Sequence, residues 1–260
     1  MAKIIAIANQ KGGVGKTTTA VNLGTGLVRH GKRVLLIDAD AQANLTECLG
    51  FEAPDELDMT LSDIIEKTVN GDILSPGEGI LKHGEGTELI PSNISLSGVE
   101  MSLSNVMCRE TILRRYVEMI SESYDYILID CMPSLGVLTI NALACADSVI
   151  IPAQAEYLPV KGLEQLLKVI GMVKFQMNPG LEIEGILLTM FNSRTNLSKD
   201  IKEILTEAYG GSIRIFETQI PRSVKASETC AEGKSIYLYD PEGKVAKAYE
   251  SLCMEVLANE

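Results

Sequence analysis

The chain has 260 residues, 46% hydrophobic and 22% charged, with 22 glycines and no tryptophan. Such a composition suits one large α/β domain or two small ones, and its apolar runs fall well short of the roughly 20 residues a membrane span needs. A net charge of −12 makes a poor nonspecific nucleic-acid binder unless a local basic patch exists.

From Met1-Ala2-Lys3 the chain enters a strand-like run with no basic leader and no A-x-A cleavage site, so a cytoplasmic protein is expected. Strands are predicted at Lys3–Ala8, Arg33–Asp38, Glu88–Pro91, Tyr126–Asp130, Ser148–Pro152, Glu184–Thr189 and Arg214–Thr218. Their Ile, Val and Leu content implies burial on both faces, as in a parallel sheet. Helices are predicted between them at Lys16–Arg29, Thr60–Thr68, Arg109–Ser121, Leu138–Ala144, Val160–Phe175 and Ser198–Tyr209. A last helix is predicted over Pro241–Ala258, with Asp240 as N-cap and proline at the first helical position. The alternation predicts a doubly wound α/β fold, a mostly parallel sheet flanked by helices, in one domain over residues 1–260. The stretch 51–87 reads as an acidic insertion of short helices and loops; residues 47–88 carry eleven acids against two bases. The six cysteines show no C-x-x-C pair and are expected to be buried free thiols.

The most informative segment is Lys11-Gly12-Gly13-Val14-Gly15-Lys16-Thr17-Thr18, which follows a buried strand and opens a helix. In that context glycines let backbone amides approach phosphate oxygens, and the helix N-terminus adds its dipole. Lys16 is expected to reach the β- and γ-phosphates of a nucleotide, and the Thr17 hydroxyl to bind Mg²⁺. The second strand ends in Asp38-Ala39-Asp40-Ala41-Gln42, at a strand carboxyl end beside the P-loop, where doubly wound folds place ligands. Asp38 and Asp40 are expected to point to opposite sides of the chain and to serve separate tasks. Tyr126-Ile127-Leu128-Ile129-Asp130 has the form of a Walker B strand, with Asp130 on the magnesium.

The first glycine of the ordinary P-loop rule is replaced by Gln10, and a second lysine, Lys11, leads the motif. In this the chain resembles the ParA/MinD class of deviant Walker A P-loop ATPases. Its resemblance to the ParA/Soj partition ATPases runs almost end to end, through Lys3–Asn22, Gly31–Asn44, Tyr124–Ala142, Ser148–Gly162, Glu184–Leu197 and Thr218–Asp240. Ala41 and Met132 stand where that family commonly has proline.

The resemblance implies an Mg²⁺-dependent ATPase that cycles between ATP and ADP and closes as an ATP-dependent homodimer. Lys11 would cross to the partner's phosphates, Asp40 would orient the attacking water, and Asp38 would support the magnesium indirectly. Asn192 and Pro221 would hold adenine, and Glu156 would touch the partner's ribose. The dimer would bind nonspecific duplex DNA through Arg194, Arg222 and Lys225, with Lys199 and Lys202 as neighbours, and hydrolyse ATP when stimulated by a ParB-like partner. Chromosome or plasmid partition on the nucleoid is the implied task. The alternatives are an orphan scaffold that positions another cargo, a MinD-like division-site regulator, and a P-loop ligase. The C-terminal segment mixes Lys244 and Lys247 with Glu250 and Glu255, so no membrane partner is expected.

Overall fold

The computed structural model describes residues 1–155 and 160–259, with the side chains of 160 and 161 left aside. Its eight strands are β1 (Lys3–Ile7), β2 (Val34–Ala39), β3 (Leu81–Lys82), β4 (Glu88–Ile90), β5 (Tyr126–Cys131), β6 (Ser148–Gln154), β7 (Glu182–Phe191) and β8 (Ile215–Pro221). They form one sheet in the order β3-β4-β2-β5-β1-β6-β7-β8. All pairings are parallel except β3 with β4. The helices are α1 (Lys16–Arg29), α2 (Asn44–Cys48), α3 (Leu61–Asn70), α4 (Ser95–Ser102), α5 (Ile112–Ile120), α6 (Val137–Cys145), α7 (Val160–Gln176), α8 (Asn196–Tyr209), α9 (Lys225–Ala231), α10 (Ile236–Tyr239) and α11 (Lys244–Leu257).

Successive strand residues point to opposite faces, so each apolar strand feeds two cores. Ile5 and Ile7 of β1, with Leu36 of β2 and Leu128 of β5, pack under α1, α10 and α11. Ala6, Leu35, Ile37, Ile127 and Ile129 pack under α3, α5, α6 and α7 on the other face. The doubly wound expectation is met. The acidic stretch contributes more than loops: Leu61, Ile64 and Ile65 of α3 are buried in the second of these cores, and β3 extends the sheet edge. α3 begins with a capping box, in which Thr60 and Asp63 satisfy each other's backbone amides.

Two local expectations are corrected. The last helix begins at Lys244, with Gly243 as its N-cap. Asp240 ends the short helix α10, and its carbonyl accepts from the Gly243 N–H, so Asp240–Gly243 is a turn between two helices. The cysteines are not all buried thiols either. Cys48 and Cys230 form a disulfide, and Cys108 is exposed, while Cys131, Cys145 and Cys253 are buried and free. A bridge spanning a sequence separation of 182 leaves no local spacing signal.

Candidate nucleotide site

The carboxyl ends of β1, β2 and β5 meet at the N-terminus of α1. Gly13 (φ 70°) and Gly15 (φ 86°) take left-handed backbone that a side chain would strain. Between them they turn the loop so that α1 begins directly at Lys16. Lys16 is buried at 7% exposure, and its ammonium lies 3.5 Å from the Lys11 carbonyl. A cavity of about 600 Å³ opens over this loop, lined by Gly12, Gly13, Lys16, Thr17, Asp40 and Pro133 among others.

Thr17 lines this cavity, and its hydroxyl donates to Oδ2 of the buried Asp130 at 2.6 Å. Asp130 Oδ1 is buried and has no hydrogen-bond partner. Burial pushes the Asp130 carboxyl up to about 8, and the neighbouring Asp38 carboxylate adds to the rise. This is a hydroxyl and a carboxylate with one unsatisfied oxygen, where the charge of Lys16 only partly offsets burial and the neighbouring carboxylates. Such hard oxygen donors suit a small divalent cation. Among the described residues no three Asp, Glu, His or Cys side chains make a metal cluster by themselves, so a cation here would need further ligands from a bound phosphate or water.

Asp38 is fully buried, and its oxygens are committed to protein donors. Oδ2 accepts from the Thr46 amide and hydroxyl at 2.9 and 2.7 Å, and Oδ1 from the Asp40 amide at 3.2 Å. Its carboxyl is pushed up to about 7 by burial, against these hydrogen bonds. Asp40 sits at the cavity wall with Oδ1 accepting from the Gln42 amide at 3.0 Å. The expectation that Asp38 and Asp40 point apart is corrected: residues two apart on an extended chain share a side, and both carboxylates act on Asp130.

Lys11 runs along the rim. Its ammonium donates to Gln154 Oε1 at 3.0 Å, and the same carboxamide donates to the Gly13 carbonyl at 2.8 Å. Asn9 ties the loop to the same strand, its side chain donating to the Pro152 carbonyl at 2.6 Å and accepting from the Lys11 amide at 2.9 Å. Gln154 was not singled out in the sequence, because no spacing rule connects β6 to the P-loop.

A second cavity, of about 330 Å³, adjoins the first through Gly15 and Thr18 and is lined by Pro221, Ile220, Val224 and Tyr249. It is smaller, and Ile220, Pro221, Val224 and Ala226 give it an apolar wall while Thr18, Arg222 and Ser227 add polar groups, a mixture that suits a planar ring with polar edges. Thr189 braces it, donating to the Val14 carbonyl at 2.8 Å. Met190 stands between the two cavities with a left-handed φ of 51°, a costly backbone state that clusters at functional sites. Pro221 lies in this wall. Asn192 does not line either cavity; it is exposed, and its side chain accepts from the Arg194 amide at 3.1 Å.

Arg194 and Arg222 are both exposed and come from the loops after β7 and β8. Those loops are adjacent because Phe191 and Pro221 are register partners, and the Arg222 amide donates to the Phe191 carbonyl. Lys225 starts α9, with its ammonium 2.9 Å from Asp240, so its charge is already partly answered. Lys199 and Lys202 lie on α8 beside Glu203 and Glu207. Glu156 falls outside the described residues.

An AAA domain family profile matches residues 2–183. Over 261 residues and the full length of both chains, the protein is 46% identical to the sporulation initiation inhibitor protein Soj of Bacillus subtilis. It is 41% identical to the chromosome partitioning protein ParA of Caulobacter vibrioides, covering 99% of this chain and 95% of that one. Among solved structures, cobyrinic acid a,c-diamide synthase of Mycobacterium smegmatis with a bound ATP analogue and magnesium superposes with a TM-score of 0.86 at 35% identity, covering 100% of this chain and 96% of that one. By its end-to-end likeness to Soj and ParA, and by a Walker A loop and Walker B aspartate that meet at one cleft, the chain belongs to the ParA/Soj family of chromosome-partitioning P-loop ATPases.

Proposed function

We propose that this protein is an ATP-gated DNA-binding switch for chromosome or plasmid partition. ATP with Mg²⁺ occupies the larger cleft, its phosphates on the Gly12–Thr18 loop and Lys16, and its adenine in the Pro221 cavity. Thr17 holds the magnesium, and Asp130 holds it directly or through water. Asp38 orients the loop that carries Asp40, and Asp40 aligns the attacking water. Magnesium supplies charge neutralisation between the phosphates.

The observation that carries the reading is the course of Lys11. Its ammonium stays exposed at the rim on Gln154 instead of entering its own cleft. A cation so placed can serve the phosphates of a second copy, the role of a finger residue supplied in trans. ATP then joins two protomers, and the paired Arg194 and Arg222 edges form a basic surface that an acidic monomer lacks. Hydrolysis, accelerated by a ParB-like partner, returns monomers that leave the nucleoid.

A MinD-like membrane cycle is disfavoured by α11. Val245, Tyr249, Leu252, Cys253 and Val256 are all buried in the core, so no apolar face remains for a lipid surface. Among the described residues no helix is long and apolar enough to cross a membrane. Anisotropy of a random-sequence duplex with Asp40→Ala protein tests the proposal. Binding with ATP but not ADP, weakening steeply with salt, supports it; equal binding with both nucleotides rejects an ATP gate.

A further inference from the structure

Two walls of the nucleotide cleft come from distant parts of the chain. α2 follows the Asp40–Gln42 loop, and α9 follows the Pro221–Arg222 loop. Their ends are pressed together: a Cβ placed on Gly233 would lie 2.7 Å from the Gly50 Cα, a distance only glycine at 233 avoids. Within one turn of these glycines, Cys48 and Cys230 are bonded, with Cα atoms 3.9 Å apart. The glycine contact holds the two segments together beside the bond. Both cysteines line the same cavity as Lys16 and Asp40, so a small solute entering the cleft reaches them. Cys48 is buried and Cys230 half-buried.

The other cysteines lack this setting. Cys131, Cys145 and Cys253 are buried, and burial raises each thiol above its ordinary range; Cys108 is exposed and free. Where disulfides form inside cells, they are usually transient and redox-sensing.

We infer that Cys48 and Cys230 are a reversible redox staple across the nucleotide cleft, which in its oxidised form ties the Asp40 wall to the Pro221 wall and slows nucleotide exchange. The oxidant is a low-molecular-weight disulfide. The thiolate of Cys230, the more exposed sulfur, attacks one sulfur of that disulfide and expels one small thiolate. The thiolate of Cys48 then attacks the Cys230 sulfur of the mixed disulfide and expels the second. One protein disulfide forms, one small disulfide is reduced to two thiols, and the two protons lost by the cysteines pass to the departing thiolates. Excess small thiol reverses the sequence. The inference rests on the reading of the cleft as the nucleotide site.

The test uses full-length protein carrying Cys108→Ser, which prevents coupling between molecules, and a fluorescent ADP analogue. Samples equilibrated with oxidised or reduced glutathione are compared for analogue release, with peptide mapping of the bond. The expected result is a Cys48–Cys230 linkage in the oxidised sample and release slowed about tenfold relative to the reduced one, as for a closed lid. Cys48→Ser and Cys230→Ser each abolish the difference between the two samples. Absence of the linkage after oxidation, or a release rate blind to it, overturns the staple while leaving the cleft's function intact. Failure of the reduced protein to bind the analogue overturns the reading of the cleft, and the staple with it.

Discussion

Asp38 of β2 and Asp130 of β5 are register partners on neighbouring parallel strands, which seats two buried carboxyls side by side below the phosphate loop. Burial raises them to about 7 and about 8, from ordinary values of 3.8. A raised carboxyl contributes stability that is present below its unfolded value and lost as pH rises through the folded one. Without nucleotide and metal, the thermal midpoint should therefore fall as pH increases from about 4, where the unfolded carboxyls ionise, to about 8, and level off above that. Asp38→Asn keeps an oxygen for Thr46 but cannot ionise, so its decline should be shallower. An equally steep decline in the variant would show that this pair does not govern the pH response.

The meeting of Thr17 with Asp130 predicts a metal-binding defect separable from folding. Thr17→Ala and Asp130→Asn should each weaken Mg²⁺-dependent ATP binding, by about 10- to 100-fold, with little change in far-UV circular dichroism. A magnesium titration followed by a fluorescent ATP analogue reads this directly. Unchanged magnesium dependence in both variants would place the cation elsewhere.

The arginine edge should act through phosphate charge. Each DNA phosphate contact contributes about 0.9 to the slope of log affinity against log salt. Arg194→Ala and Arg222→Ala should then each flatten that slope by about two in an ATP-bound dimer, which loses two contacts per substitution. Lys225→Ala should flatten it less, because Asp240 already pairs with that ammonium. Wild-type slopes in both arginine variants would move the DNA to another face.

Much of the fold is legible in the sequence because a parallel strand buried on both faces is a continuous apolar run, as in Tyr126–Asp130, and needs no partner to be seen. The P-loop is legible for a different reason: glycines, lysine and threonine at fixed offsets combine backbone freedom with phosphate and metal chemistry. What the sequence conceals depends on contacts between distant segments. β3 is two residues long and exists by pairing with β4. The Asp240-Pro241 pair resembles a helix start but makes a turn between α10 and α11. The Cys48–Cys230 bond and the grip of Gln154 on Lys11 and Gly13 arise where separate strands and helices converge. The side shared by Asp38 and Asp40 was legible from strand geometry alone.

In the proposed dimer Lys11 leaves its own cleft to complete a second one. Sedimentation of Asp40→Ala protein with ATP and Mg²⁺, with and without Lys11→Ala in the same chain, addresses it most directly, alongside a nucleotide-binding titration. The expected result is a dimer with Lys11 and a monomer without it, both binding ATP with similar affinity. A dimer that persists without Lys11, or an ATP affinity that collapses with it, would contradict the role of this lysine between protomers.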